Sequence, residues 1–348
     1  MRALVLAGGE GTRLRPLTLS VPKPVMPLAG RPFLTFMLDW LGRHGVDEAI
    51  LSCGFLSDAV ERVLGDRHDG IRLHYVVEEE PLGTAGPVRL AADRGLVGDD
   101  RLLVLNGDTL TDFDLSAEVA WHERAGATAT LALVAVDDTS SYGVVPTDAD
   151  GRVEAFLEKT DDPPTNRINA GAYVLERSVI DRIPAGRAVS FEREVFPAMA
   201  GEGLYGFPAE GYWIDIGTPE RYLEATYDLL ADRVESSLPP RDETGSLIAE
   251  GCITGGARIG PMSVLGRRCV VGTGSVVERS VLHDEVRVGE GATVSGAVLA
   301  EGVRVGDGAY VEEEAMLGAR ARVGPGAHVG RGARVEPGET VGEPVGAP

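Results

Sequence analysis

Of the 33 basic residues in this chain, only Lys23 and Lys159 are lysines; the rest are arginines. An ammonium is a compact point charge on a flexible stem, whereas a guanidinium is a bulky planar fork. A site kept as lysine is therefore one where the fork does not fit. Lys23 lies in "PKP", where the prolines restrict the backbone and help aim the side chain. Ahead of it, "LVLAGGEGTRLR" ends a strand-like run at Ala7 and turns through Gly8, Gly9 and Gly11. Glycines there let backbone amides approach an anion, and Arg13 and Arg15 add forks that match phosphate oxygens. The stretch lacks both the Lys-Ser/Thr ending of a P-loop and the G-x-G-x-x-G of dinucleotide folds, so neither applies. Two aspartates accompany these groups, Asp108 in "NGD" at a strand end and Asp215 in "DIG" in a second loop. A lone Asp in such a place is commonly a cap or a turn, so residue type alone leaves its role open.

Charge narrows the ligand. The chain of 348 residues carries a formal net charge of −21. A field of that sign disfavours nucleic-acid and anionic-membrane partners, so an anionic ligand must be met by a few local cations, with or without a metal. No apolar run is long enough to span a bilayer, and "ALVLAG" runs straight into glycines without a cleavage context. Cys53, Cys252 and Cys269 have no paired spacing, which predicts buried thiols in a reducing cytoplasm. The six histidines are scattered and predict no zinc cluster.

The elements that must position these residues fall into two patterns. Over the first two-thirds, strand-like runs alternate with helix-like ones: "RALVLA", "FLTFMLDWLGRHG", "EAILSCG", "LSDAVERVLG", "IRLHYVVE", "TAGPVRLAADRG", "RLLVLNGD", "DLSAEVAWHERAG", "ATATLALVAV". That alternation predicts an α/β domain with a mainly parallel sheet covered on both faces, with ligands at the carboxyl ends of its strands. "TPERYLEATYDLLAD" predicts a closing helix with Thr218 as N-cap and Pro219 at N1. After "SSLPPRDETG", apolar residues recur every six positions from Ile253 to Val341, with two five-residue steps, to Leu282 and to Leu299. This is the hexapeptide signature of a parallel β-helix, three hexads to a coil. The predicted domains are residues 1–232, a linker at 233–245, the β-helix at 246–342 and a tail at 343–348.

The ordered set "LAGGEGTRLRPLT…PKPVMP", "EEEPLGTAGP", "LNGD", "FLEKT", "INAGAY" and "WIDIGTP" resembles the sugar-1-phosphate nucleotidylyltransferases over nearly the whole chain. The likeness is closest to their GDP-mannose pyrophosphorylase branch. It implies a Rossmann-like nucleotidyltransferase domain followed by a left-handed β-helix. It also implies transfer of a nucleotidyl group from a nucleoside triphosphate to a sugar 1-phosphate, with release of pyrophosphate. Two anions must meet in such a reaction, so positioning and charge neutralisation dominate. The resemblance makes Asp108 and Asp215 ligands of a divalent cation, normally Mg²⁺. It puts Leu6, Ala7, Gly8, Gly9, Gly11, Thr12, Gly83 and Thr84 against the nucleotide, and Arg13 and Lys23 on its triphosphate. Lys159 takes the sugar phosphate, Glu158 the sugar hydroxyls, and Gly143, Asn169 and Gly171 line the sugar pocket. The family's usual "EKP" is here "EKT", a change in loop stiffness more than in chemistry.

Glu78 stands five residues before Gly83. Guanine offers two adjacent donors, which a carboxylate accepts, whereas uracil and thymine suit an amide better. Glu78 thus leans toward GTP, although it also belongs to the run Glu78–Glu80, which a solvated loop would explain. UTP- or dTTP-dependent glucose-1-phosphate chemistry, and a phosphorylated cyclitol in place of the sugar, remain alternatives. An acyltransferase site in the β-helix is disfavoured, because only His283 and His328 lie there and neither has a recognisable partner pattern. The β-helix is expected to assemble homo-oligomers, since little capping sequence follows Val335 and Val341.

Overall fold

The computed structural model describes residues 1–54, 56–158 and 162–342. The chain divides into two compact units, Met1–Gly9 with Met37–Trp213, and Glu10–Phe36 with Ile214–Pro348.

Four parallel strands form the centre of the first unit's ten-stranded sheet: Leu102–Asn106, Arg2–Leu6, Glu48–Cys53 and Ile71–Val77, adjacent in that order. Their apolar runs leave Ala3, Leu4, Val5, Ile50, Leu51 and Val104 fully buried, as strands covered on both faces require. Each of the Val, Leu and Ile side chains contributes roughly 1.5–3 kcal/mol of burial. Away from the centre the sheet turns antiparallel. Arg167–Leu175 runs against Leu102–Asn106 on one side and Ala129–Ala135 on the other. Its pairing with Ala129–Ala135 breaks between Asn169 and Tyr173. Gly143–Val144 bridges Arg167–Leu175 to Leu157–Glu158 at the edge. The helix Leu115–Ala125 starts where the Asp114 carboxylate accepts the Ala117 amide at 2.9 Å and stops at Gly126 with φ of 57°.

In the second unit, the helix Pro219–Leu230 begins at Thr218, whose hydroxyl accepts from the Arg221 amide. Beyond it the chain winds into three columns of two- and three-residue parallel strands. One column stacks Leu265, Leu282, Leu299, Leu317 and Val335 in register, and all five are buried. This is the β-helix of the family fold, and from Ile259 onward its inward residues are those of the hexad register; Ile253 departs from it, because it pairs with the outward Val270 and is 62% exposed. The two five-residue steps follow strands of three residues, Val276–Glu278 and Thr293–Ser295. In the same column the outward residues Val264, Val281, Val298 and Met316 are also buried, so that face is covered. Tyr222 joins the N-terminal segment of this unit to the β-helix: its hydroxyl bonds to the Pro27 carbonyl and lies 3.2 Å from His283 Nε2. All three cysteines are free thiols. Among the described residues no helix is long and apolar enough to cross a membrane.

Candidate active site

The carboxyl ends of the four parallel strands converge through backbone bonds. Ala7 N donates to Ser52 O at 2.8 Å, Gly107 N to Leu6 O at 2.9 Å and Glu78 N to Cys53 O at 3.0 Å. Glycine is required where these ends touch. A Cβ on Gly8 would lie 2.9 Å from Glu78 Oε1, and one on Gly107 would lie 2.7 Å from Leu6 O. Gly9 faces open space, so packing does not explain it. A small residue there leaves backbone amides accessible to a ligand.

The Glu78 carboxylate is anchored at both oxygens. Ser52 Oγ donates to Oε1 at 2.8 Å and Leu82 N donates to Oε2 at 3.1 Å. Each oxygen keeps further acceptor capacity. Gly83 follows with φ of 74°, and a Cβ there would meet Val189 O at 2.5 Å. The Thr84 hydroxyl accepts from Phe191 N at 2.8 Å and donates to Glu192 Oε2 at 2.7 Å.

Glu192 is the residue that the sequence reading did not find. Its Oε2 also accepts from Ser190 Oγ at 2.7 Å, and its charge lies near enough to act on the buried Tyr173 hydroxyl. Tyr173 in turn accepts from Asn169 Nδ2 at 2.9 Å, and Asn169 Oδ1 accepts from Gly171 N at 3.0 Å. Burial first, then the negative charge of Glu192, pushes the Tyr173 phenol well above its usual range, so it stays a donor. Asp108, half-buried after the strand Leu102–Asn106, lies near enough to act on Tyr173 in the same direction. The charge of Glu192 thus links the Thr84 motif to the Tyr173–Asn169 pair. The signal in sequence was "SFEREVFP", which opens a short π-helical turn capped by Ser190, but capping patterns are common and point to no site.

Gly171 has φ of 75°, and a Cβ there would lie 2.6 Å from Asn106 Nδ2. The strand irregularity at Asn169–Tyr173 therefore depends on this glycine. Trp213 Nε1 donates to Ala170 O at 2.8 Å, and Tyr142 meets the Trp213 ring edge-on at 5.5 Å. Gly143 pairs with Glu158 across the edge strands, and a Cβ on Gly143 would lie 2.8 Å from Phe156. Lys159 lies outside the described residues.

In the second unit, Gly11 adopts φ of 61°, and its carbonyl accepts from Thr18 Oγ1 at 2.8 Å. Thr12 and Arg13 are exposed on the 3-10 turn Thr12–Leu14. Lys23 opens a second such turn, with Pro22 before it, and is only 8% exposed. The Lys23 Cβ lies 3.4 Å from where a Gly11 Cβ would stand. Gly217 marks another meeting point. A Cβ there would lie 2.7 Å from Arg13 Nη2 and 2.9 Å from Asp215 Oδ2, so guanidinium and carboxylate share the space that this glycine leaves. Arg15 instead pairs with Glu10 at 3.2 Å on the surface.

Residues 2–232 match the family model described as "Nucleotidyl transferase", and residues 246–347 match the "GMPPB C-terminal domain". The chain belongs to the nucleotidyl transferase family. It is 46% identical over 276 residues to mannose-1-phosphate guanylyltransferase of Mycobacterium tuberculosis, a match that covers 74% of this chain and 76% of that one. It is 41% identical over 227 residues to the mannose-1-phosphate guanylyltransferase catalytic subunit beta of Xenopus tropicalis, covering 64% of this chain and 63% of that protein. Among solved structures it resembles HddC from Yersinia pseudotuberculosis complexed with GMP-PN. That match has a TM-score of 0.55 and 31% identity, and covers 64% of this chain and 97% of the other. The strand-end glycines, the Glu78 anchor and the Thr84–Glu192 network all lie within the segment matched to the nucleotidyl transferase model. This enzyme therefore transfers nucleotidyl groups.

Proposed function

We propose that this nucleotidyl transferase makes a nucleotide sugar from a sugar 1-phosphate, and that its substrates are GTP and mannose 1-phosphate. The observation that carries the proposal is the 46% identity to a mannose-1-phosphate guanylyltransferase across three-quarters of both chains. The anchored Glu78 carboxylate supports the choice of base, because its remaining lone pairs suit the two donors of guanine.

In this reading, an oxygen of the sugar phosphate attacks the α-phosphorus of GTP in line. The bond from that phosphorus to the bridging oxygen breaks, and pyrophosphate leaves with the electron pair. Backbone from Leu6 to Thr12 and from Gly83 to Thr84 holds the nucleotide. Arg13 and Lys23 draw charge from the triphosphate, Arg13 next to the departing pyrophosphate. Lys159 holds the sugar phosphate. Glu158, Asn169, Gly171 and Gly143 orient the sugar, which keeps the attacking oxygen in line. Asp108 and Asp215 offer only carboxylate oxygens, a donor set that fits a hard divalent cation such as Mg²⁺ better than a soft one. When bound, such a cation neutralises phosphate charge. The β-helix is proposed as the surface through which copies of the chain assemble.

The test is a matrix of nucleoside triphosphates against sugar 1-phosphates, scored by pyrophosphate release. GTP with mannose 1-phosphate should give the highest kcat/KM. A preference for UTP or dTTP with glucose 1-phosphate, or for a phosphorylated cyclitol, would replace this assignment.

A further inference from the structure

The β-helix carries a stack of arginines that the transfer reaction does not use. Arg287, Arg304 and Arg322 occupy equivalent positions on three successive coils and pair in register, Arg287 with Arg304 and Arg304 with Arg322. Neighbouring rungs of a sheet are about 4.8 Å apart. All three side chains are exposed, each beside an inward valine. Like charges directly opposite one another destabilise a sheet. The chain has 54 acidic residues against 33 basic ones, so counter-charges were plentiful. Yet among the described residues no ion pair involves Arg287, Arg304 or Arg322.

The preceding corner of each coil shapes this stack into a site. Arg268, Glu285, Gly302 and Arg320 stand two positions before the outward residues of successive strands, all with positive φ. Three of them project side chains, and Gly302 does not. The stem of Arg320 leans over Gly302, where a Cβ would lie 3.3 Å from Arg320 Cγ. The ladder and the corner together line a concavity of ≈ 360 Å³. Five arginines line it with one glutamate, Glu285. That carboxylate is held by Arg268 at 2.7 Å. The net charge of the chain does not cancel such a patch, because charges beyond about 8 Å are screened at physiological ionic strength.

We propose that this concavity is a second anion site, and that it binds a small molecule carrying two phosphate groups. The fork geometry of arginine matches phosphoryl oxygens, and adjacent rungs offer parallel forks to adjacent phosphoryl groups. A concavity of ≈ 360 Å³ is of small-molecule size. An acidic segment of a second copy of the chain is the competing occupant, and the volume is small for one.

The test uses the full chain and inorganic pyrophosphate as the probe, by titration calorimetry. Wild type should take up two equivalents, one at the transfer site and one here. The triple variant Arg287→Ser, Arg304→Ser, Arg322→Ser should take up one and keep its turnover at saturating substrates. The lost event should weaken at least ~10-fold between about 50 and 200 mM salt, as multi-phosphate contacts do. Without ligand, Arg304→Ser should unfold no earlier than wild type, because the change relieves repulsion, and pyrophosphate acting here should raise the midpoint of wild type more than that of the variant. Equal stoichiometry and affinity in wild type and triple variant would overturn the proposal. A fall in particle mass of the triple variant by light scattering would also overturn it, in favour of an interface between copies.

Discussion

Thr84 Oγ1 donates to Glu192 Oε2 at 2.7 Å, although 108 positions separate the two residues. The bond ties the loop that follows Glu78 to the turn Phe191–Val195. The same carboxylate acts through its charge on Tyr173, whose hydroxyl accepts from Asn169. A carboxylate suits this place because Thr84 and Ser190 both donate an O–H to the same oxygen, Oε2. Glu192→Gln keeps an oxygen for both hydroxyls but removes the charge that strengthens these bonds, at about 1–3 kcal/mol. The expected result is a KM for the nucleoside triphosphate raised ~10-fold or more, and a sugar-phosphate KM raised with it. A lowered melting temperature with both KM values unchanged would reduce Glu192 to a structural role.

Much of this arrangement was legible in the sequence, and the reason is local. The hexad register identified the inward residues of the β-helix from Ile259 onward, because a six-residue period belongs to neither helix nor ordinary strand; it failed at Ile253, where the first coil is not yet in register and the side chain is exposed. Thr218 and Pro219 marked a helix start that the structure places at the same residues. Gly8, Gly11, Gly83 and Gly171 stood out as glycines, and each has a steric or conformational reason in the structure. What stayed hidden was long-range. Alternation of apolar residues fixes the face of a strand but not its direction, so the antiparallel course of Arg167–Leu175 was not foreseen. Glu192 was silent for the same cause: its partners Thr84 and Tyr173 are distant in sequence, and a glutamate in a helical turn looks like a solvated one. The arginine ladder was also hidden, since arginines 17 and 18 positions apart align only once coil length is known.

Turnover should depend on a divalent cation and on both Asp108 and Asp215. Either Asp→Asn change removes one negative charge from the proposed ligand set. Loss of a charge-stabilising group of this kind costs about 100-fold or more in kcat. Assays in excess EDTA should show the same loss in the unaltered enzyme. Full activity under EDTA would remove the metal from the mechanism.

Lys23→Arg and Lys159→Arg keep the charge and should still be damaging. Lys23 is nearly buried, with its stem against Gly11, so the wider guanidinium has no room to place its charge as the ammonium does. Lys23→Arg should raise the KM for the triphosphate, and Lys159→Arg the KM for the sugar phosphate, each by ~10-fold or more. If both variants match wild type, the sparing use of lysine has no functional meaning here.

Acid should weaken the second unit through His283. Burial pushes this imidazole down to about 4 from an ordinary 6.5, although Asp284 acts in the opposite sense. The groups facing it include the Tyr222 hydroxyl, which bonds to the Pro27 carbonyl. Because Tyr222 uses its proton on Pro27, His283 Nε2 carries the hydrogen between them and the ring is neutral. A folded-state value below the unfolded one means that the unfolded chain binds the proton first as pH falls. Stability is therefore complete above about pH 6.5 and declines down to about pH 4, by about 3 kcal/mol in all from this group. Urea melts across that range should show the slope, and His283→Asn should flatten it. An unchanged slope in the variant would assign the acid sensitivity elsewhere.

Glu78 should set the preference for GTP over UTP and dTTP. Its two oxygens already accept from Ser52 Oγ and Leu82 N, and an amide can satisfy both contacts by accepting from Leu82 and donating to the serine oxygen. Glu78→Gln therefore keeps the loop in place and changes only what the base meets. With guanine, one of two donors loses its acceptor, at about 1–3 kcal/mol. The ratio of kcat/KM for GTP to that for UTP should fall by about tenfold to a hundredfold. Ser52→Ala provides the control, because it frees one anchor but leaves both oxygens able to accept from the base. It should lower efficiency with every nucleotide and leave the ratio near that of wild type. If Glu78→Gln also lowers all nucleotides equally, the carboxylate is a loop clamp and the base is read elsewhere. A moved ratio in Glu78→Gln with an unmoved one in Ser52→Ala can arise only if the carboxylate itself meets the base.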